Sequence, residues 1–257
     1  MASISFEVKE NIGSITLNRP DKLNSFNREM ALELQSALDE CKKKEVRCVY
    51  ITGAGKGFSA GQDLAEVVDP KGPGMAKILS EHYNPIVTRI RKLEKPVVAA
   101  INGVAAGAGA NIALCCDIVV AAQSASFIQA FSKIGLIPDS GGTYTLPRLI
   151  GWQKASALMM LGDKVAASDA EKMGMIYKVL PDESFKEESW AIALGLAKMP
   201  TKGLAFTKQI LRMSFNSSFE EQLHDEDIIQ QQAANTSDYK EGVQAFLEKR
   251  APIFKGE

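Results

Sequence analysis

The residues best suited to chemistry gather in Ile134-Gly-Leu-Ile-Pro-Asp139-Ser-Gly-Gly-Thr143. Asp139 sits in a Pro/Gly turn behind apolar residues. It is either a turn-former, a common use of aspartate, or a partly buried acid/base. Upstream, Ser59-Ala-Gly-Gln-Asp-Leu64 and Gly103-Val-Ala-Ala-Gly-Ala-Gly-Ala110 each follow a strand-like run. Such stretches either let a helix and a strand pack closely or present bare backbone N–H groups to negative charge. Two of them together suit one small oxyanion, held while Asp139 moves a proton.

Other chemistries are poorly supported. The stretch 103–110 has no Gly-Lys-Ser/Thr end, and Gly107-Ala-Gly109 does not complete a dinucleotide fingerprint with a ribose-binding acid. Cys41, Cys48, Cys115 and Cys116 form no Cys-x-x-Cys pair near a histidine, so no zinc site is expected. His82 and His224 are isolated and read as residues on polar helix faces. A formal net charge of −1 gives no broad attraction to nucleic acid or anionic lipid. The N-terminus lacks a basic stretch followed by an apolar core, and the long apolar run at 96–122 is broken by Asp117. A cytoplasmic protein with reduced thiols follows as the expectation, without metal or redox cofactor.

The elements that must position these residues follow from periodicity. Ile4–Val8 and Ser14–Leu17 alternate as a hairpin, and Ser25 or Asn27 caps a helix over 28–44. Cys48–Thr52 completes a right-handed βαβ unit. The stretch 67–74 reads as a mobile loop before a helix near 77–93. Val97–Ile101 and Asp117–Ala122 are buried strands flanking a helix over 108–116, and Ser126–Gln129 adds a short strand. From about 150 the pattern is helical, with a capping box expected at Ser168-Asp-Ala-Glu171. The division is an α/β core over 1–200 and a helical region over 201–257.

Leu17-Asn-Arg-Pro20, Leu23-Asn24, Phe58-Ser-Ala-Gly-Gln-Asp63, Lys95-Pro96, Asn102-Gly103, Gly107 to Gly109, Asp117 and Gly141-Gly-Thr143 resemble the enoyl-CoA hydratase/isomerase (crotonase) superfamily. The likeness runs on to Tyr239-x-Glu-Gly242 and Lys249-Arg250, so it covers nearly the whole chain. It implies an α/β spiral of ββα units, ClpP-like, with a helical trimerisation region, assembled as a homotrimer or a dimer of trimers. It implies an acyl-CoA thioester substrate, with CoA part of the substrate rather than a cofactor. By resemblance the oxyanion donors are the N–H groups of Gln62 and Ala108. Substrate contacts are implied at Lys22, Leu23, Ala60, Asp63, Leu64, Gly109, Asn111 and Phe131. Asp63 also reads as a structural cap, Lys22 as a solvated turn residue, and Asn111 as either an inert helix residue or a ligand-orienting amide.

The departures from the family pattern carry as much as the matches. A hydratase of this family places two glutamates where this chain has Asn111 and Phe131, so water addition by that route is not expected. Asp139 stands where some isomerases of the family, and its aromatic-acyl-CoA dehalogenases, carry a working aspartate. The dehalogenases also need a histidine where this chain has Asn84, with His82 two residues away. Val68-Asp-Pro70, Tyr83-Asn-Pro85 and Ala130 to Asp139 resemble the ring-1,2-epoxyphenylacetyl-CoA isomerases of bacterial phenylacetate degradation. That resemblance implies conversion of 2-(1,2-epoxy-1,2-dihydrophenyl)acetyl-CoA to oxepin-CoA, or a Δ3-to-Δ2 double-bond shift. Apolar neighbours, Phe131 and Ile137 among them, are expected to raise the Asp139 pKa. A hydratase-like enzyme and a non-catalytic acyl-CoA-binding subunit are the alternatives.

Overall fold

The computed structural model describes residues 2–257. Alternation in Ile4–Lys9 (β1) and Ile12–Leu17 (β2) forms an antiparallel hairpin. Its two-residue turn, Glu10-Asn11, takes positive φ at both positions, the twist that matches the strands it joins. The helix Arg28–Glu40 (α1) starts where the Asn27 side chain accepts the Met30 N–H, and it buries Met30, Ala31, Leu34 and Leu38. The strand Cys48–Gly53 (β3) then lies parallel to β2, completing the expected βαβ unit.

From here the chain repeats one move. A first strand joins a six-stranded sheet, a second joins a four-stranded sheet, and helical segments return the chain. The pairs are β3 with Gly57–Ser59 (β4), then Val97–Ile101 (β5) with Val104–Ala106 (β6), then Ile118–Ala122 (β7) with Ser126–Ile128 (β8). Lys164–Ala166 (β9) and Lys178–Leu180 (β10) close the two sheets, whose orders are β1-β2-β3-β5-β7-β10 and β4-β6-β8-β9. This is a spiral of ββα units. β5 at its centre is buried throughout, and its Val-Val-Ala-Ala-Ile run is the unbroken apolar pattern of a strand covered on both faces.

Between the strands of the spiral lie Leu64–Val68 (α2), Gly74–Lys77 (α3), a π-helical turn at Ile78–Tyr83, and Asn84–Lys92 (α4). Ala108–Leu114 (α5) is wholly buried. Gly142–Ile150 (α6), Trp152–Leu161 (α7), Ala167–Lys172 (α8) and Phe185–Lys198 (α9) follow, and then Thr201–Met213 (α10), Phe219–Ala234 (α11) and Ser237–Glu248 (α12).

Several local expectations are corrected. The stretch 67–74 is not one loop, because α2 reaches Val68 and α3 starts at Gly74. α6 was hidden by Gly141-Gly142 and Pro147, which read as turn signals. The capping box at Ser168 and Glu171 does not form. α8 starts one residue earlier without a side-chain cap, and Glu171 instead accepts the Val179 N–H at 3.0 Å. A complete capping box stands at Ser218 and Glu221, heading α11.

Candidate active site

Close backbone approach brings the turn at Gly61-Gln62 against the start of α5. Phe26 forms a parallel bridge with Gln62, donating to the Gly61 carbonyl at 2.7 Å and accepting the Asp63 N–H at 2.8 Å. Those bonds use the groups on either side of Gln62, so Gln62's own N–H points away from Phe26. The start of α5 lies against the neighbouring Gly61. Among the described residues neither the Gln62 N–H nor the Ala108 N–H has a hydrogen-bond partner. Two glycines allow the approach. A β-carbon on Gly61 would lie 2.8 Å from the Ala106 carbonyl and 3.4 Å from the Ala108 nitrogen, and φ there is +89°. A β-carbon on Gly109 would lie 2.6 Å from the Ser59 side chain.

The Gln62 side chain is clamped at both ends. Its Oε1 accepts the Tyr83 O–H at 2.6 Å, and its Nε2 donates to Glu66 Oε2 at 2.9 Å. Tyr83 is fully buried, and burial holds its phenol well above the usual pKa, with the Asp139 charge adding to the effect. The π-helical turn ending at Tyr83 is the device that places it, and π-turns recur at functional sites. In the sequence, Tyr83 is marked only by the Tyr83-Asn-Pro85 resemblance. The signal was a tyrosine directly before Asn-Pro, which reads as a helix start.

Asp139 is half-buried, and burial raises its carboxyl above the ordinary range, opposed by hydrogen bonds from the Ser140 O–H and its own backbone. Ser140 Oγ donates to Asp139 Oδ1 at 2.8 Å, from a residue held at φ 51°, which is costly for a side chain with a β-carbon. The turn is tied to α5. Asn111 Nδ2 donates to the Asp139 carbonyl at 2.9 Å, and Asn111 Oδ1 accepts from Gln129 Nε2 at 2.8 Å. Gly142 makes this possible, because a β-carbon there would strike the Asn111 amide. The helix that presents the Ala108 N–H therefore also fixes the turn that carries the carboxylate.

The other expected site residues fall into three groups. Phe131 is buried, its ring beside Gly107, and Gly109 is packed against Ser59. Lys22, Leu23, Ala60 and, at the start of α2, Leu64 are exposed, Ala60 donating its N–H to the Leu23 carbonyl. Asp63 is a structural residue. It caps α2 through Ala65 and pairs with Arg19 at 2.9 Å.

Three expectations are corrected. Asn111 is not inert: it is fully buried, both ends of its amide bond to protein, and it positions the Asp139 turn. Ile137 is 82% exposed and cannot shield Asp139. His82 is only 1% exposed rather than on a polar face; its Nε2 lies 3.2 Å from Arg28, and burial lowers its pKa. All four cysteines are free and buried.

Residues 7–257 match the Enoyl-CoA hydratase/isomerase family. The chain is 46% identical to 1,2-epoxyphenylacetyl-CoA isomerase of Escherichia coli K12, an alignment covering 100% of this chain and 99% of that one. It is 36% identical to the trans-2-decenoyl-[acyl-carrier-protein] isomerase of Streptococcus mutans, over 98% of each. Among solved structures, the enoyl-CoA hydratase of Bacillus anthracis superposes with a TM-score of 0.91 at 33% identity, covering 99% of this chain and 100% of that one. A ββα spiral matched to that family over nearly its whole length makes this chain an enzyme of the enoyl-CoA hydratase/isomerase family with the crotonase fold.

Proposed function

We propose that the chain is an acyl-CoA isomerase in which the N–H groups of Gln62 and Ala108 receive the thioester oxygen and Asp139 is the acid/base. The observation carrying this reading is that one helix, α5, both presents the Ala108 N–H and anchors the Asp139 turn through Asn111. In a Δ3-to-Δ2 shift, the polarised carbonyl acidifies C2. Asp139 takes a proton from C2, the electron pair spreads over the dienolate, and the same proton returns at C4 while the carbonyl re-forms. One carboxylate suffices, and nothing is added or lost.

Conversion of 2-(1,2-epoxy-1,2-dihydrophenyl)acetyl-CoA to its oxepin also leaves composition unchanged and needs no net proton transfer. The name of the Escherichia coli relative supports that substrate class. Hydratase-like water addition is the less favoured reading, since Asn111 is committed to structure and Phe131 has no titratable group. The substrate carries its own CoA, and no metal or redox cofactor enters the scheme. Exposed Trp152, Met160, Phe219, Phe246 and Leu247 on α7, α11 and α12 support self-association as a trimer or a pair of trimers.

Turnover of a panel of Δ3-unsaturated and epoxidised acyl-CoA thioesters by wild type and Asp139→Asn tests the reading. Wild type is expected to isomerise at least one of them, and Asp139→Asn to lose about 100-fold or more in kcat on a double-bond shift. Equal rates would remove Asp139 from the chemistry, and binding without turnover of any thioester would make the chain a binding subunit.

A further inference from the structure

Away from Asp139, the C-terminal ends of α1 and α4 face α10 across a cleft of about 730 Å3, a volume typical of small-molecule sites. Ten lysine and arginine side chains line it, against a single carboxylate, Glu94. That is a third of the 30 cationic residues of a chain whose formal net charge is −1. Four of the ten are matched by carboxylates: Lys42 and Arg89 share Asp39, Lys44 meets Glu257, and Lys208 meets Asp117. The helix C-termini offset about one further charge, at roughly half a unit each.

The remaining six, Arg47, Lys92, Lys95, Lys202, Arg212 and Lys255, have no ion-pair partner among the described residues. Arg47 donates to the carbonyls of Met199 and Phe254 and to the Thr201 hydroxyl, Arg212 to the Arg91 carbonyl, and Lys95 to the Lys43 carbonyl. Neutral acceptors fix a cation in place without cancelling its charge. The Lys95 ammonium, in addition, is mostly buried, and burial lowers its pKa, so a neighbouring anion would relieve it. Glu257, the carboxylate within electrostatic reach of Lys202 and Lys255, is already tied to Lys44.

We propose that this cleft binds a multiply phosphorylated anion of nucleotide size. An oligophosphate offers several charged oxygens to several fixed donors at once, which no single carboxylate can do. The shared chemistry covers inorganic oligophosphates and nucleoside polyphosphates. Phe206, the one aromatic side chain in the wall, gives a base a surface to stack on.

The test is calorimetric titration of the purified full chain, in whatever assembly it adopts, with tripolyphosphate and separately with ATP. It is run on wild type and on the charge-reversal pair K202E/K255E. Both residues are exposed, so the pair should fold, and circular dichroism checks this. Wild-type binding that weakens with added salt, and weakens about tenfold or more in the double variant, supports the proposal. Tighter binding of ATP than of tripolyphosphate, lost in Phe206→Leu, identifies a nucleotide. Equal binding of the two identifies an inorganic oligophosphate. No binding of either probe at about 1 mM, binding indifferent to the double variant, or tighter binding of a polyglutamate peptide would overturn it. The last result would make the cleft a docking face for an acidic protein.

Discussion

Asp139 shows in one side chain how a site trades stability for reactivity. Unfolded, its carboxyl titrates near 3.8; folded, burial moves that value up. Between the two values the unfolded chain is the more ionised, so rising pH favours unfolding. Stability linked to this group is complete below 3.8 and is lost as pH climbs through the raised folded value. Asp139→Asn should therefore raise the melting temperature at pH 7 while abolishing the proposed proton transfer, and the gain should shrink at pH 4. Parallel thermal melts at the two pH values check this, and a variant less stable at pH 7 would refute the cost assigned to the buried charge. Ser140 works in the other direction, lowering the carboxyl's pKa through its O–H bond. Ser140→Ala should shift the acidic limb of kcat/KM to higher pH, and an unmoved limb would show that this bond does not set the base.

At the scale of elements, the site depends on how closely α5 can approach β4. Gly109 stands at that contact, where a methyl group would meet both the Ser59 side chain and its carbonyl, at 2.6 and 2.8 Å. Neither neighbour can yield cheaply, since Ser59 is fully buried and its Oγ is bonded to the Asn24 carbonyl. Gly109→Ala should displace the start of α5 and with it the Ala108 N–H. Loss of one oxyanion donor costs about 3–4 kcal/mol, or a fall of roughly 100- to 1000-fold in kcat. Steady-state kinetics on the active thioester, with circular dichroism to confirm folding, would check it. Wild-type kcat in a folded variant would mean that the donor lies elsewhere. The same packing explains why Asn111 belongs to the protein rather than to the ligand. It spans from α5 to the Asp139 turn, so a glutamate at that position would lose an N–H donor that the turn uses.

At the scale of the molecule, α10 is tied to the spiral by polar anchors. Lys208 pairs with Asp117 at 2.8 Å and donates to the carbonyls of Ile90 and Lys95, while Arg47 reaches Met199 and Phe254 from the start of β3. The faces of α7, α11 and α12 carry large apolar side chains that nothing in the chain covers, Phe246 at 83% exposure the most extreme. If these faces close the proposed trimer, Phe246→Glu should shift the sedimentation coefficient toward that of a monomer of 27.8 kDa. Wild-type protein sedimenting as a monomer would leave those faces to another partner. No helix among the described residues is long and apolar enough to cross a membrane.

Much of this was legible in the order of residues, because local rules govern it. The β1–β2 alternation, the Asn27 cap, the all-apolar β5 and the two glycine-rich turns follow from periodicity, capping and the absence of a β-carbon, which neighbours in sequence decide. Asp139 could be picked out as a carboxylate in a turn, and Asp63 as a cap. Folding had to add the contacts between residues far apart. Tyr83 reaches Gln62 across 21 positions and Asn111 reaches Asp139 across 28, and neither pairing leaves a periodic trace. Burial is the other tertiary decision. It placed His82 inside and Ile137 outside, against their types, because exposure depends on what packs above a residue rather than on its own polarity. Strands, turns and the choice of reactive groups come from side-chain type and local sterics along the chain. Which of those groups meet, and at what proton affinity, was set by closure of the spiral, because desolvation and hydrogen bonding act through space.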